Sequence, residues 1–207
     1  MLKSRRSKEN PIQMFTRRLQ TVAGLLSCLA CALLATAADA PRYDYRVLAT
    51  QKTSTMEKEM NEAGDAGFDF QAVMGGETAI GGKEVVVVMI KQTGATAKKR
   101  FKLLATSKTS TMEKELQQAG DEGFEYLGQT VFQSGIAGRE VAVILGRDTE
   151  GARQRIEYKL LATSKTSTMQ KELQALGDAG FRSVGLTVAK TAFAGSELVC
   201  ILRRNGQ

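Results

Sequence analysis

The 207-residue chain has no histidine, no tryptophan, two prolines and three cysteines. Without histidine it lacks the commonest general base and the commonest metal ligand. Catalysis would fall to carboxylates, lysine, tyrosine or cysteine. With so few prolines and 43% hydrophobic residues, it is not a chain too polar to bury a core. A phosphate-binding loop, a dinucleotide fingerprint, a zinc-ligand spacing and a nucleophile elbow are all missing. The glycine-rich GGETAIGG stretch (75–82) lacks the Lys-Ser/Thr of a phosphate loop and reads as a flexible hairpin connection. No cofactor and no metal are expected. Cys28 and Cys31 fall in an apolar N-terminal run, so Cys200 stands alone beyond it, and a lone cysteine makes no internal disulfide.

That N-terminal run is itself informative. Lys3, Arg5, Arg6, Lys8, Arg17 and Arg18 precede an apolar stretch from Leu19 to Ala37, which closes on Ala38-Asp39-Ala40 before Pro41. Basic, apolar, then small-x-small is the pattern of a secretory signal peptide over residues 1–40, with cleavage near Ala40. Met14 offers a second start. Two alternatives stay open: an uncleaved membrane anchor, and a lipoprotein in which LLSC presents Cys28 for lipidation. Residues 1–40 carry six of the 29 basic and two of the 22 acidic residues, leaving 23 basic and 20 acidic beyond them. A net charge of +3 without a clustered basic footprint gives no reason to expect nucleic-acid binding. The localisation expected is exported, periplasmic or secreted, and contact with a membrane would come only through the signal or a lipid on Cys28.

Beyond Pro41 one unit occurs three times. LATQKTSTMEKEM (Leu48–Met60) returns as LATSKTSTMEKEL (Leu104–Leu116) and LATSKTSTMQKEL (Leu161–Leu173). The copies align without gaps, at offsets of 56 and then 57 residues, over 41–92, 100–148 and 157–204, joined by short polar linkers. Each copy changes period. YRVLAT alternates, with Tyr45, Val47 and Ala49 on one face, as in a strand. Met56, Met60 and Ala63 then fall on one helical stripe. Gly64, Gly120 and Gly177 mark the expected helix ends. FDFQAV alternates again, with Phe68, Phe70 and Ala72 expected inward. EVVVVMI (Glu84–Ile90) is apolar on both faces, so it is expected in the centre of its sheet with both faces covered.

The fold class read from this is α+β: three tandem β-α-β-β repeats. Each is a three-stranded, mainly antiparallel sheet with one helix, the last strand between the first two. Units of about 50 residues are marginal alone, so the three are expected to pack into one body. Cys200, where the earlier copies have Val87 and Val143, is expected to be a small buried hydrophobe.

With those residues in hand, the chain resembles the domain-of-unknown-function family 4177, a short bacterial family. The resemblance rests on an aromatic first strand, a helix ending in G-x-x-G-[WF] and a last strand closing on a basic residue. The matching positions are Tyr45, Gly64, Gly67, Phe68 and Lys91 in the first copy. In the second they are Phe101, Gly120, Gly123, Phe124 and Arg147. In the third they are Tyr158, Gly177, Gly180, Phe181 and Arg203 or Arg204. The chain departs in having Phe where the family often has Trp, and in the added TSKTSTM element. The resemblance implies a small βαββ fold and no established activity, so it brings no catalytic residues.

The repeated KTST admits two readings. Ser54 with Glu57, Ser110 with Glu113 and Ser167 with Gln170 have capping-box spacing. The lysines are not explained by a cap. A helix N-terminus offers free amides and partial positive charge. On this reading Lys52, Thr53 and Ser54, Lys108, Thr109 and Ser110, and Lys165, Thr166 and Ser167 form three anion-binding ends acting together. Glu84, Glu140 and Glu197 recur at the last strand's start. Asp65, Asp121 and Asp178 recur at the helix-to-strand turn, where Asx bonding would hold them. Acid–base chemistry would need the two sets to meet. Lys58, Lys114 and Lys171 read as a solvated helix face. The function expected is a non-catalytic exported bacterial repeat protein, a structural or interaction module of the cell envelope. Its partner would be a protein or an anionic envelope component, and binding of an anionic ligand or polymer by the KTST ends is the alternative.

Overall fold

The structure, a computed structural model, describes residues 40–206 except 79–81, 107, 135–137 and 192–194. Residues 1–39, which hold most of the expected signal peptide with Met14 and Cys28, lie outside the described residues. Arg42–Gln207 form a compact unit of their own, and all three apolar clusters lie within it. No described helix is long and apolar enough to cross a membrane.

The order is β1 (Tyr43–Thr50), α1 (Thr53–Asp65), β2 (Asp69–Thr78), β3 (Gly82–Gln92), then β4 (Lys99–Thr106), α2 (Thr109–Asp121), β5 (Glu125–Ser134), β6 (Gly138–Asp148), then β7 (Ile156–Thr163), α3 (Thr166–Asp178), β8 (Arg182–Thr191) and β9 (Gly195–Asn205). Three antiparallel sheets result, ordered β1-β3-β2, β4-β6-β5 and β7-β9-β8. The doubly apolar strand is central in each, as its composition requires. Cys200 is buried in β9, with its thiol 3.1 Å from the Ser183 hydroxyl.

Each helix forms because its apolar side chains recur at helical spacing: Met56, Met60 and Ala63 are buried in α1, and Met112, Leu116 and Ala119 in α2. The helix end differs from the sequence reading. The residue with positive φ is Gly67 (86°), not Gly64, and Gly123 and Gly180 match it. Phe68 N–H donates to Ala63 O and Gly67 N–H to Gly64 O, each at 3.0 Å. This pair of bonds is a Schellman closure, which needs the left-handed residue one turn later than expected. The basic residue one before the end of the last strand completes the latch. Lys91, Arg147 and Arg204 donate to the carbonyls of Ala66, Glu122 and Ala179, at 2.7, 2.9 and 2.8 Å. There a cation meets the negative end of the helix. The same side chains lie over the Phe68, Phe124 and Phe181 rings.

A second difference is a bulge in each second strand, between Phe70 and Ala72 in the first copy. The bulge moves the following residue to the other face. Ala72 therefore points outward and is exposed, while Phe70 and Val73 pack on the core.

The repeats stack as alternating layers. Met56, Met60 and Ala63 of α1 share one cluster with Val85, Val87 and Met89 of their own sheet and with Phe101, Leu103, Ala142 and Ile144 of the next. The α2 cluster likewise takes in Ile156, Tyr158, Val199 and Ile201 of the third sheet. Each inner helix thus lies between two sheets. The middle sheet is covered on both faces, as the sequence predicts. On the first sheet the outer face, which was expected to be covered as well, is left open by the described residues, because no helix precedes that sheet among them.

Candidate functional site

Each KTST trio opens its own helix. Lys52, Lys108 and Lys165 are exposed and occupy the cap position with extended backbone, φ between −106° and −117°. Thr53, Thr109 and Thr166 are the first helical residues and Ser54, Ser110 and Ser167 the second. The capping box is not formed: no side chain caps any of the three helices. The threonine that ends the preceding strand binds first. The Lys52 N–H donates to the Thr50 hydroxyl at 3.2 Å, and Lys108 and Lys165 donate to Thr106 and Thr163 in the same way. That turn starts the helix two residues too early for Ser to serve as cap. The first turns hold no acidic residue. Each trio stands on a different layer, since a sheet separates successive helices.

Glu57, freed from the box, reaches the next repeat. The Leu103 N–H donates to its carboxylate at 2.9 Å. Glu113 lies 3.6 Å from the Lys159 ammonium. One helical turn on, Asn61 accepts from Phe101 N–H and donates to Phe101 O, both at 3.0 Å. Its amide thus extends the β4 edge as a strand would. Gln117 does the same to β7, accepting from Tyr158 N–H at 3.0 Å and donating to Ile156 O at 3.4 Å.

The aspartates are not turn-holding Asx residues either. They close the helices and pair across the junction, Asp65 with Arg100 at 3.0 Å and Asp121 with Arg155 at 2.8 Å. The hydrogen bond from Arg155 and a second from Gln117 hold the Asp121 carboxyl below its ordinary range. Glu122 is likewise lowered by its bond from Lys102, at 2.8 Å. Glu84, Glu140 and Glu197 sit half-buried near the start of the central strands.

Gly64 and Gly120 have a role the sequence reading missed. A Cβ on Gly64 would come within 2.5 Å of Lys99 O and 2.9 Å of the Phe101 ring, and one on Gly120 would strike Ile156 O and the Tyr158 ring. They let the next strand approach the helix backbone. The sequence signal was present: a glycine three residues before the turn glycine, at a position no turn requires.

A cleft of about 330 Å³ opens at the first junction, lined by Asp69, Lys99, Glu125, Arg147, Asp148 and Arg153 among others. Lys99 bridges Asp148 at 2.8 Å and Asp69 at 3.3 Å. Burial lowers its affinity for the proton, but those two carboxylates outweigh burial and the net shift is upward. Lys99 is thus spent on Asp69 and Asp148, while Glu125 pairs with Arg203 at 2.7 Å and Arg147 donates to Glu122 O. Among the described residues no group of three or more Asp, Glu, Cys or His could hold a metal ion. Burial pushes the hydroxyls of Tyr126 and Tyr158 up to about 12, leaving both neutral.

Compared with family models, with curated proteins and with solved structures, the chain matches none.

Proposed function

We propose that the chain is a non-catalytic, exported repeat protein of the bacterial envelope, acting as a structural or interaction module. The observation that carries this reading is the outer face of β1-β3-β2. Tyr43, Tyr45 and Val47 are exposed there, whereas the matching faces of the other two sheets are buried under a helix. An apolar patch of this kind marks a protein interface. The recurring polar side chains of α1 and α2 support it too, because they are spent on joining repeats. Two measurements test the reading. The N-terminus of the protein recovered from fractionated cells should begin near Pro41, in periplasm or medium. A photo-cross-linker placed at position 45 should capture a protein in the envelope. An unprocessed cytoplasmic chain, or a silent cross-linker, would overturn it, and a lipidated Cys28 would shift it to a lipoprotein.

A second reading is favoured by the three helix N-termini, which have neither side-chain cap nor first-turn acid. Here Lys52, Lys108 and Lys165, with the adjacent Thr and Ser, bind an anionic ligand or polymer. A thermal-shift series with inorganic phosphate and polyphosphate checks it, since stabilisation follows occupancy. A rise in melting temperature that is lost in the triple Lys→Ala variant supports the reading, and equal curves for both proteins sink it.

A further inference from the structure

We infer that the chain assembles head to tail with further copies of itself, the outer face of β1-β3-β2 in one copy receiving α3 and β8 of another. This deepens the interaction-module reading and rests on it. The two internal junctions are the template. In each, a helix and the second strand of one repeat cover the outer face of the next sheet. Among the described residues nothing covers the same helix and strand of the third repeat, and nothing covers the same face of the first sheet.

The exposure pattern agrees with this. The large apolar side chains exposed among the described residues are Tyr43, Tyr45, Val47, Met74, Leu186 and Val188. The first four lie on the outer face of the first sheet, and the last two lie on β8 beside α3. Tyr45, at 63% exposed, occupies the position of Phe101 and Tyr158, both 2% exposed. Repeat arrays that end as monomers carry a polar outer face on their terminal repeats, and this one carries tyrosines and valine.

The tail keeps the parts that the internal junctions use. Gly177 matches Gly64 and Gly120, yet nothing described lies within 4 Å of where its Cβ would be. In the assembled pair Tyr45 would lie against it, as Phe101 lies against Gly64. Gln174 matches Asn61 and Gln117, and it already holds the pose of Gln117. Its amide nitrogen donates to Asp178 at 3.0 Å, as that of Gln117 does to Asp121. Its oxygen is placed for the Tyr45 N–H on the open edge of β1. Asp178 stands where Asp121 meets Arg155, and the residue at the Arg155 position in the first copy is Arg42, again a cation.

Shape matches where the copies differ. Gly128 and Gly185 are glycine because a Cβ would come within 2.9 Å of the Phe70 ring and 2.5 Å of the Tyr126 hydroxyl. Their counterpart on the open face is Ala72, which has that Cβ. The residue that would face it, matching Phe70 and Tyr126, is Ser183, which is smaller. The larger residue on one end meets the smaller one on the other. The contact is heterologous, so the copies close into a ring or extend as a filament according to the rotation between them.

Sedimentation velocity on Arg42–Gln207 from about 1 μM to about 1 mM tests this, a range that reaches weak association. The mass should rise with concentration beyond a dimer. Tyr45→Arg removes the head and Gly177→Arg the tail, both at positions exposed in the single copy, so each variant should keep the wild-type circular dichroism. Each alone should stay monomeric, and an equimolar mixture should form a dimer and nothing larger. Val47→Arg and Gln174→Arg repeat the test should either first variant unfold. A Gly177→Arg protein that dimerises alone would mean two sheet faces meet, and this overturns the inference. A monomer at every concentration also overturns it and gives the face to another occupant. Capture of a different protein from position 45 would then leave the interaction-module reading standing.

Discussion

Glycines at equivalent positions do different work. Gly120 lies where the Tyr158 strand crosses its helix, and Gly177 lies in open space. Gly120→Ala should destabilise the protein by about 1–3 kcal/mol, the usual cost of forcing atoms into a filled contact. Gly177→Ala should stabilise the dilute monomer by about 0.5–1 kcal/mol, because alanine restricts the unfolded chain and favours helix. Urea unfolding of both variants settles it, and equal effects would mean that the close approach at Gly120 is not a constraint. Tyr158 makes a second prediction. Its hydroxyl is buried and donates to Phe124 O at 3.0 Å, and burial raises its pKa from 10.0 to about 12. The unfolded tyrosine ionises first, so its contribution is whole below pH 10 and is lost as pH rises towards 12. A shift of that size corresponds to on the order of 2–3 kcal/mol. Stability should fall across that window, and Tyr158→Phe should flatten the fall. An unchanged slope in the variant would mean that Tyr158 does not set it.

Elements cohere through side chains that imitate backbone. Asn61 and Gln117 each satisfy polar groups on the edge of the next repeat's first strand, which would otherwise present open N–H and C=O groups. Asn61→Ala or Gln117→Ala should each cost about 1–3 kcal/mol, since truncation leaves half-buried partners unpaired. Gln174→Ala, with no strand beside it in the single copy, should change stability by less than about 0.5 kcal/mol. Chemical denaturation of the three variants makes the comparison, and a costly Gln174→Ala would contradict it. Much of each element was legible in the sequence, because period alone marks the central strand of each sheet and the buried stripe of a helix, although it also predicted cover for the outer face of β3, which is open. The strand order followed from that. The caps were not legible. S-x-x-E spacing fits a box, but Thr50 takes the Lys52 N–H, and the helix begins two residues early. The use of Glu57 and Asn61 was hidden for another reason: their partners lie 46 and 40 residues away, and spacing carries no information on contacts that distant.

Across the whole molecule, stability is a sum over junctions, as in other stacked repeats. Each of the first two clusters mixes residues from two repeats, so neither the first nor the second unit owns its core. The third cluster contains the third repeat alone: Met169, Phe181, Cys200 and Leu202, with Leu173 and Leu176 only partly covered. Met169 is the buried residue of α3, where α1 and α2 each bury four. Local opening follows such differences in burial. In dilute solution α3 should therefore exchange its amide hydrogens first. Leu116 is fully buried in α2 while its counterpart Leu173 is not. Full burial of one leucine is worth about 1.5–3 kcal/mol, so protection in α3 should be lower by about tenfold or more. Hydrogen exchange read by mass spectrometry resolves the three helices separately. Equal protection in all three would mean that the repeats open together and that the neighbour's sheet adds nothing to a helix. A gradient that fades as protein concentration rises, with α3 gaining protection together with β1, would show the two open ends covering each other.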